Sequence, residues 1–155
     1  MRVRRACVLL STPMKIAIGS DHAGFSYKRE IIAQLRAKDI TVIDVGTDSE
    51  VPVSYVPFIR EVAQGVAEGR FDRGIVLGGS GNGEAMAANR IKGVRCALCW
   101  NVETAKLGRQ HNDANVLSLG ERVLDLRTAI SIVEAFLSTP FEGGRHQERI
   151  RELDE

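Results

Sequence analysis

The stretch Gly74-Ile-Val-Leu-Gly-Gly-Ser-Gly-Asn-Gly-Glu84 decides the fold class of this chain of 155 residues. It opens with the short apolar run typical of a buried strand, and helical spacing of apolar residues follows over residues 82–90. The glycines between them are what a tight turn from a strand into a helix requires. The stretch therefore predicts one strand-to-helix unit of a sheet.

The same alternation extends from this unit towards both ends of the chain. Strands are predicted over residues 15–19, 40–45, 74–77, 94–99 and 115–119, and helices over residues 24–38, 56–68, 82–90, 102–110 and 126–137. Almost wholly apolar strands that alternate with amphipathic helices are typical of a parallel sheet covered on both faces. We therefore predict a single doubly wound, Rossmann-like α/β/α sandwich with a five-stranded parallel sheet, followed by a charged C-terminal tail helix.

Composition excludes several classes of protein. Lys and Arg number 21 against 20 Asp and Glu, so the charge balance gives no reason to expect a nucleic acid or an anionic membrane as partner. No apolar run approaches the roughly 18 to 20 residues of a membrane helix. The three cysteines form no spaced disulfide framework, which favours a reducing compartment, and we predict the cytoplasm.

The first residues are predicted to lie outside the folded domain. Residues 1–13 precede the first strand, and the domain is expected to span residues 14–155. The apolar run at residues 6–10 is shorter than the roughly 7 to 15 residues of a signal-peptide core. The extension is interpreted either as a disordered tail or as the result of a misassigned translation start.

Two loops at the carboxyl ends of the strands carry residues suited to chemistry, and ligands of doubly wound sheets bind at this edge. Residues 78–84 bring glycine amides to a helix start, which suits an anion or an oxyanion. The loop lacks the phosphate-loop ending and the dinucleotide spacing, so neither ATP nor NAD is predicted. A partly desolvated Glu84 there suits a general base, although the local sequence alone favours helix capping or placement in a positive first helical turn.

Three histidines and one aspartate add proton donors and acceptors. Asp21 and His22 follow the first strand, where Asp21 also suits a helix cap. We expect His111, at the end of the fourth helix, near the same edge, although favourable dipole placement is the commoner role there. Because His22, His111 and His146 have no short metal-ligand spacing, we predict no metal and favour proton transfer over a metal-assisted hydride shift.

The candidate anion-binding cations are three arginines. Arg122 follows the fifth strand, and Arg145 and Arg149 share one face if the tail is helical. Guanidinium pairs suit a phosphate, whereas solvated surface charge is the commoner role of such residues. The tail is expected to pack on another subunit. Cys96 and Cys99 lie three apart in a predicted strand and so face opposite sides, which favours buried apolar roles over a redox or zinc pair.

Four segments together resemble the B-type ribose-5-phosphate and galactose-6-phosphate isomerase family. They are Ile18-Gly-Ser-Asp-His-Ala-Gly24, Gly78-Gly-Ser-Gly-Asn-Gly-Glu84, Arg109-Gln-His-Asn112 and Glu142-Gly-Gly-Arg-His-Gln147. The resemblance covers about residues 14–151. It implies the doubly wound fold and, as the activity, aldose–ketose isomerisation of a sugar phosphate such as ribose 5-phosphate. It also implies a homodimer or tetramer with active sites shared between subunits, and no metal or cofactor.

The resemblance implies a role for each matching position. Glu84 is implied as the base that moves a proton between two carbons, which places the chain in a glutamate branch. The other branch uses a cysteine at the place of Gly78. His111 with Asp21 is implied in opening the furanose ring, assisted by Ser80. The implied binding residues are Gly79, Gly81, Asn82 and Gly83 for the enediolate, His22, Arg122, Arg145 and Arg149 for phosphate, and Asn112 and Tyr55 for the sugar.

One loop departs from the family's pattern. The family has Asp-Tyr-Pro where this chain reads Ser54-Tyr55-Val56, with the proline displaced to Pro57, so the wall near the sugar is expected to differ. Two alternatives stay open: an isomerase of a tetrose or hexose phosphate, such as erythrose 4-phosphate, allose 6-phosphate or galactose 6-phosphate, and a non-catalytic sugar-phosphate-binding subunit. The presence of Ser80, Glu84 and His111 argues against the second.

Overall fold

Strands alternate with helices, and one further helix follows at the end, in residues 12–155, the part of the chain that the computed structural model describes. The prediction of an N-terminal extension lies, for residues 1–11, outside the described residues. The elements are β1 (Lys15–Ser20), α1 (Phe25–Ala37), β2 (Thr41–Gly46), α2 (Val56–Ala67), β3 (Arg73–Gly78), α3 (Asn82–Ala88), β4 (Cys96–Leu98), α4 (Val102–Asn112), β5 (Val116–Gly120), α5 (Leu126–Ser138) and α6 (Arg145–Glu152). A 3-10 turn, His22–Gly24, joins β1 to α1.

All five strands are parallel, in the order β2-β1-β3-β5-β4, which confirms the predicted fold class. The chain steps from β1 outward to β2 and then crosses back over β1 to β3. The carboxyl ends of β1 and β3 are therefore neighbours from which the chain departs in opposite directions. A crevice opens at such a switch point, and this is where doubly wound sheets hold ligands.

Helices cover both faces of the sheet, as the apolar strands require. On one face α1, α4 and α5 pack against β1, β3 and β5, and on the other α2 and α3 do so. The strand side chains that alternate between the two faces are Ile16, Ile18, Ile75, Leu77, Leu117 and Leu119 on the first and Ala17, Val76 and Val116 on the second. This two-sided burial fixes the strand ends and so the loops that leave them.

An ion pair holds α1 against β2. The ammonium of Lys28, whose side chain is 1% exposed, contacts Oδ1 of Asp44, and the same oxygen accepts the Gly46 N–H at 3.0 Å. Removal of either partner leaves a charge or an amide without its partner in a largely buried place. Breaking this pair therefore costs more stability than breaking one of the surface ion pairs within residues 12–155.

The edge strand β4 is shorter than predicted, with three residues instead of the six expected over residues 94–99. Cys96 opens this strand, and Cys99 follows it, buried at 2% exposure. Burial raises the pKa of the Cys99 thiol to about 11 and raises that of Cys96 further. Both thiols stay protonated at neutral pH, in agreement with the predicted apolar role.

The helices of residues 12–155 are short. The longest, α1 and α5, have 13 residues each. A bilayer span takes about 20 residues, and none of these helices has the length and apolarity to cross a membrane.

Candidate active site

An open cleft of about 550 Å³ lies at the carboxyl ends of β1, β3 and β5. Eight residues predicted for the site line it, namely Asp21, His22, Tyr55, Gly79, Ser80, Gly83, Glu84 and Arg122. Ala23 and Val123 also line the cleft, and no sequence motif had pointed to either. The structure thus brings together residues from four separate loops at the predicted edge.

The glycine-rich loop after β3 is held through its carbonyl groups. The carbonyl oxygens of Gly78 and Gly79 each accept an N–H from the segment just after β5 at 2.9 Å, and that of Gly81 accepts the Ser118 hydroxyl at 2.7 Å. In a trans peptide the N–H points opposite to the C=O. The N–H groups of Gly79 and Ser80 therefore point away from β5, which leaves them free to hold an oxyanion.

The turn into α3 depends on one backbone conformation. Gly81, the residue before α3, has φ +83°, a conformation that side chains disfavour. A Cβ there would also meet the backbone of Leu119 at 3.0 Å. This sharp turn lets α3 begin directly beneath the cleft, with Glu84 in its first turn.

Glu84 is an acid buried at the base of the cleft, with 4% of its surface exposed. Its carboxylate lies against the Cα of Gly78, in the space that any side chain at position 78 would occupy. Burial raises the pKa of Glu84 above its ordinary value of 4.5, and the like charge of Asp21 adds to this, while the residue's own backbone N–H opposes it. A side chain at position 78 would displace the Glu84 carboxylate, so this position requires glycine.

Asp21 and Ser80 have defined bonding at the cleft wall. Oδ1 of Asp21 accepts the N–H groups of Ala23 and Gly24 at 2.9 and 3.2 Å, so the expected capping role is confirmed. Ser80 Oγ accepts two hydrogen bonds from Asn82, from the backbone N–H at 3.2 Å and the side-chain amide at 3.1 Å. Since both bonds occupy lone pairs of Ser80, its own O–H proton is free to be donated to a ligand.

His22 has a fixed tautomer. Its Nδ1 accepts the backbone N–H of Val53 at 3.1 Å, so in the neutral ring the proton sits on Nε2. Sequence patterns gave no sign of this partner, because the loop of Val53 is linked to His22 only through the fold. In the neutral ring, the bond leaves Nε2–H as the one N–H that His22 can donate.

Tyr55 and Arg122 line the cleft beside two different glycines of the loop after β3. The Tyr55 ring and hydroxyl pack on Gly83, and the Arg122 side chain passes over Gly79. The displaced proline, Pro57, falls in the first turn of α2, where a missing backbone N–H costs nothing. The departure from the family's pattern therefore leaves Tyr55 in the cleft.

Four predicted site residues, His111, Asn112, Arg145 and Arg149, lie outside the cleft. The expectation that His111 lies at the carboxyl edge of the sheet is therefore wrong. A helix that follows a parallel strand runs back along the sheet, so α4 ends at the amino edge, where the Asn112 carbonyl accepts Arg95 Nε at 2.9 Å just before β4. The strands between the two edges span about 20 Å. Asn112 is exposed, as are Arg145 and Arg149 in α6, which packs against the end of α4.

At this amino edge His111 belongs to a cluster that the sequence did not indicate. The rings of His111 and His146 stack with centroids 4.5 Å apart, and Nε2 of each lies 3.9 Å from Oε2 of Glu142. His146 is largely buried, at 8% exposure. The absence of a short sequence spacing between the histidines was therefore no guide to their distance, because the fold brings α4 and α6 together.

The fold is that of a doubly wound α/β protein, and its cleft holds a desolvated acid beside a helix start. A family model described as "Ribose/Galactose Isomerase" matches residues 16–153. The chain belongs to the ribose/galactose isomerase family, as its sequence resemblance predicted.

Individual relatives agree over nearly the whole chain. Ribose-5-phosphate isomerase B of Escherichia coli K12 is 45% identical over 139 residues, which cover 90% of this chain and 93% of the relative. The structure of the Clostridium thermocellum ribose-5-phosphate isomerase B superposes with a TM-score of 0.90 at 47% identity, over 91% of this chain and 95% of the other. The Mycoplasma genitalium enzyme with bound ribulose-5-phosphate gives 0.87 at 42% identity, over 90% and 93%.

Proposed function

We propose that this chain interconverts ribose 5-phosphate and ribulose 5-phosphate by proton transfer through an enediolate, with Glu84 as the base. The observation that carries the proposal is the buried carboxylate of Glu84 beside the free amides of the glycine-rich loop. Family membership supports the reaction class, and the relatives named ribose-5-phosphate isomerase B support the substrate.

The proton transfer follows from the chemistry of the two groups. Removal of the C2 proton of an open-chain aldose by the Glu84 carboxylate gives an enediolate with negative charge on O1. The N–H groups of Gly79 and Ser80 favour that charge without reorganising, because the loop is already held by its carbonyls. The same carboxyl then delivers the proton to C1 and leaves a ketone at C2. Ser80 O–H is placed to assist the exchange of the hydroxyl proton between O1 and O2.

Substrate binding divides between the cleft and a second copy of the chain. In the cleft, His22 Nε2–H and Arg122 bind the phosphate, and Tyr55 packs on the sugar. The resemblance implies four more residues in ring opening and in binding phosphate and sugar. They lie at the opposite edge of the sheet in the same chain: His111, Asn112, Arg145 and Arg149. We therefore propose a homodimer, or a tetramer of such dimers, in which each cleft receives these four residues from the partner subunit. Asp21 of the cleft and His111 of the partner subunit would open the furanose ring.

The first experiment is an initial-rate comparison on purified full-length chain. Ribose 5-phosphate, erythrose 4-phosphate, allose 6-phosphate and galactose 6-phosphate are tested separately in the presence of EDTA. The proposal expects ribose 5-phosphate to give the highest kcat/KM, with no loss in EDTA. Preference for another sugar would change the substrate assignment but leave the proposed mechanism in place. No activity on any of the four would favour a non-catalytic binding subunit.

The shared site has its own test by subunit complementation. Glu84→Gln and His111→Gln variants, each inactive alone, are co-expressed or mixed under subunit exchange. If each site takes these two residues from different chains, a mixed dimer holds one intact site. About a quarter of the wild-type activity then returns for random mixing of two-fold symmetric dimers. No recovery in verified mixed dimers would place both residues in one chain's site and contradict the proposed assembly.

The proposed setting is the cytoplasm. The thiols of Cys96 and Cys99 are unpaired within residues 12–155, and burial keeps both protonated. This usage suits a reducing compartment. No cofactor is proposed, since the base, the oxyanion donors and the phosphate ligands are all supplied by the chain's own residues.

A further inference from the structure

We propose that Val53 is a positioning residue for phosphate recognition: its backbone N–H holds His22 so that the ring offers Nε2–H to the anion. The inference rests on the proposed role of His22 as a phosphate ligand and names the group on which that role depends. Val53 lies between β2 and α2, in residues 47–55, which we call the crossover loop. His22 belongs to the turn that follows β1 and lines the cleft.

One hydrogen bond ties the middle of the crossover loop to the rest of the protein. The Val53 N–H donates to His22 Nδ1 at 3.1 Å, and within the described part of the chain no other hydrogen bond joins residues 48–54 to a distant residue. Two further bonds there are local, to serine hydroxyls two residues earlier in the chain. The side chains of Val51 and Val53 are 68% and 39% exposed, so packing adds little. The bond to His22 therefore sets the position of this part of the loop.

The two ends of the crossover loop are held independently of that bond. At its start, the Thr47 N–H donates to the Ser20 carbonyl at 2.7 Å. At its end, the Tyr55 carbonyl accepts the Ile59 N–H of the first turn of α2 at 3.1 Å. Loss of the Val53 N–H should therefore leave both ends in place and change only the middle of the loop and the ring that it holds.

The direction of the bond decides which nitrogen of His22 carries the proton. Nδ1 accepts from Val53, so the neutral ring carries its proton on Nε2. Without this partner a neutral imidazole is free to move its proton to Nδ1, and Nε2 then presents a lone pair. A phosphate oxygen also presents lone pairs, so the two atoms repel each other and form no hydrogen bond. Val53 therefore acts on the phosphate through His22 and needs no contact with the substrate.

The two hydrogen bonds of the ring should strengthen each other. When an anion accepts Nε2–H, electron density in the ring rises and Nδ1 becomes a better acceptor for the Val53 N–H. The coupling is reciprocal, so a bound anion favours the docked loop by the factor by which the docked loop favours the anion. Inorganic phosphate should therefore slow hydrogen exchange of the Val53 amide in wild type. The Thr47 amide, bonded to the Ser20 carbonyl, is the internal control and should not respond.

The first test reads the ring of His22 by nuclear magnetic resonance of full-length protein labelled with ¹⁵N in histidine, without sugar. Wild type should show the Nε2–H tautomer, and His22→Ala identifies the signal by its loss. Val53→Pro deletes the N–H at a position outside helices and strands, and it should give a mixture of tautomers. Val51→Pro, the same kind of change in the same loop, is the matched control and should keep the wild-type tautomer. A proton on Nδ1 in wild type, or an unchanged ring in Val53→Pro, would overturn the inference.

Initial rates show whether the state of the ring matters for the substrate. Val53→Pro should raise KM for ribose 5-phosphate by about tenfold, the lower end of what a hydrogen bond to a charged group contributes, and should change kcat little. Val51→Pro should leave both constants unchanged. In a His22→Ala background, Val53→Pro should raise KM no further, because its effect passes through the ring. A full additional increase in that background would indicate general disruption of the loop and would refute the positioning role.

The inference and the proposed function fail in different ways. If wild type did not turn over ribose 5-phosphate, the substrate assignment would be wrong, and the tautomer and the exchange response to inorganic phosphate would still decide the role of Val53. The exchange measurement uses wild type alone, so it applies even if Val53→Pro fails to fold, and a Val53 amide that ignores phosphate would overturn the inference. A changed tautomer in Val53→Pro with an unchanged KM would refute both the inference and the assignment of His22 to phosphate.

Discussion

Replacement of the buried acid, Glu84→Gln, separates the catalytic role of this side chain from its structural cost. The amide keeps the shape of the carboxyl but cannot accept a proton. General-base catalysis contributes about 10²- to 10⁴-fold to rate, so kcat should fall by that factor, a loss of about 3 to 5.5 kcal/mol of transition-state stabilisation. KM should change little, because the phosphate and sugar contacts are made by other residues.

The same substitution should make the protein more stable at neutral pH. Burial holds the pKa of Glu84 above its ordinary value, so the folded state binds the proton more tightly than the unfolded chain. The stabilisation from the Glu84 carboxyl is fully present at pH values below its pKa in the unfolded chain. It is lost as the pH rises through its pKa in the folded protein. Each unit of difference corresponds to about 1.4 kcal/mol. Glu84→Gln should therefore exceed wild type in stability at pH 7 and lose this advantage below the ordinary glutamate pKa of 4.5.

Two assays check these expectations. Initial rates over a pH series give kcat/KM, whose acid limb in wild type should lie above the ordinary glutamate pKa of 4.5. Urea unfolding at neutral and acidic pH gives the free energies of unfolding. Glu30→Gln, the same atomic change at an exposed position of α1, is the control and should leave both quantities unchanged. Retention of most turnover by Glu84→Gln would refute the base assignment, and equal pH dependence of the two stabilities would refute the desolvation argument.

Three further substitutions test individual contacts. Gly78→Ala places a methyl where the Glu84 carboxylate lies, and displacement of the acid by about 1 Å should lower kcat about 100-fold while circular dichroism shows a retained fold. Arg149→Ala should raise KM for the sugar phosphate by about 10- to 100-fold through loss of a charged hydrogen bond, whereas Arg151→Ala in the same helix should leave KM unchanged in initial-rate assays. Asp44→Asn leaves a buried ammonium without its counter-ion and should cost about 2 kcal/mol in urea unfolding, and a cost near zero would mean that water reaches the lysine.

The alternation of apolar strands and amphipathic helices predicted the fold because both signals are local. A run such as Ile75-Val-Leu77 is apolar in every position only when both sheet faces are covered. Topology then places loops after the strands at one edge, so Asp21 and Glu84 could be expected together from position alone. Strand β4 is shorter than predicted since its residues lie at the sheet edge, where few contacts enforce the extended conformation.

The position of His111 shows that predicting the edge of the sheet at which a residue lies also requires the direction in which its helix or strand runs. His111 lies in the last turn of α4 and precedes β5, so it belongs to the amino edge, although its distance in sequence from the cleft residues says nothing of this. Its partners Glu142 and His146 have the i, i+4 spacing of one helical face but lie far from it along the chain. Their proximity arises from the packing of α6 on α4, which depends on contacts between elements.

The sequence by itself determined the fold class, the family, and the types of residue at the carboxyl edge of the sheet. These depend on periodicity and on short motifs, which local backbone preferences translate directly into structure. Only the tertiary structure decided that the Glu84 carboxylate fills the space beside Gly78, that His22 is held in one tautomer by Val53, and that His111 and His146 lie together beside Glu142. Burial, desolvation and the distance between side chains remote in sequence are properties of packing. No local sequence pattern predicts any of them by itself.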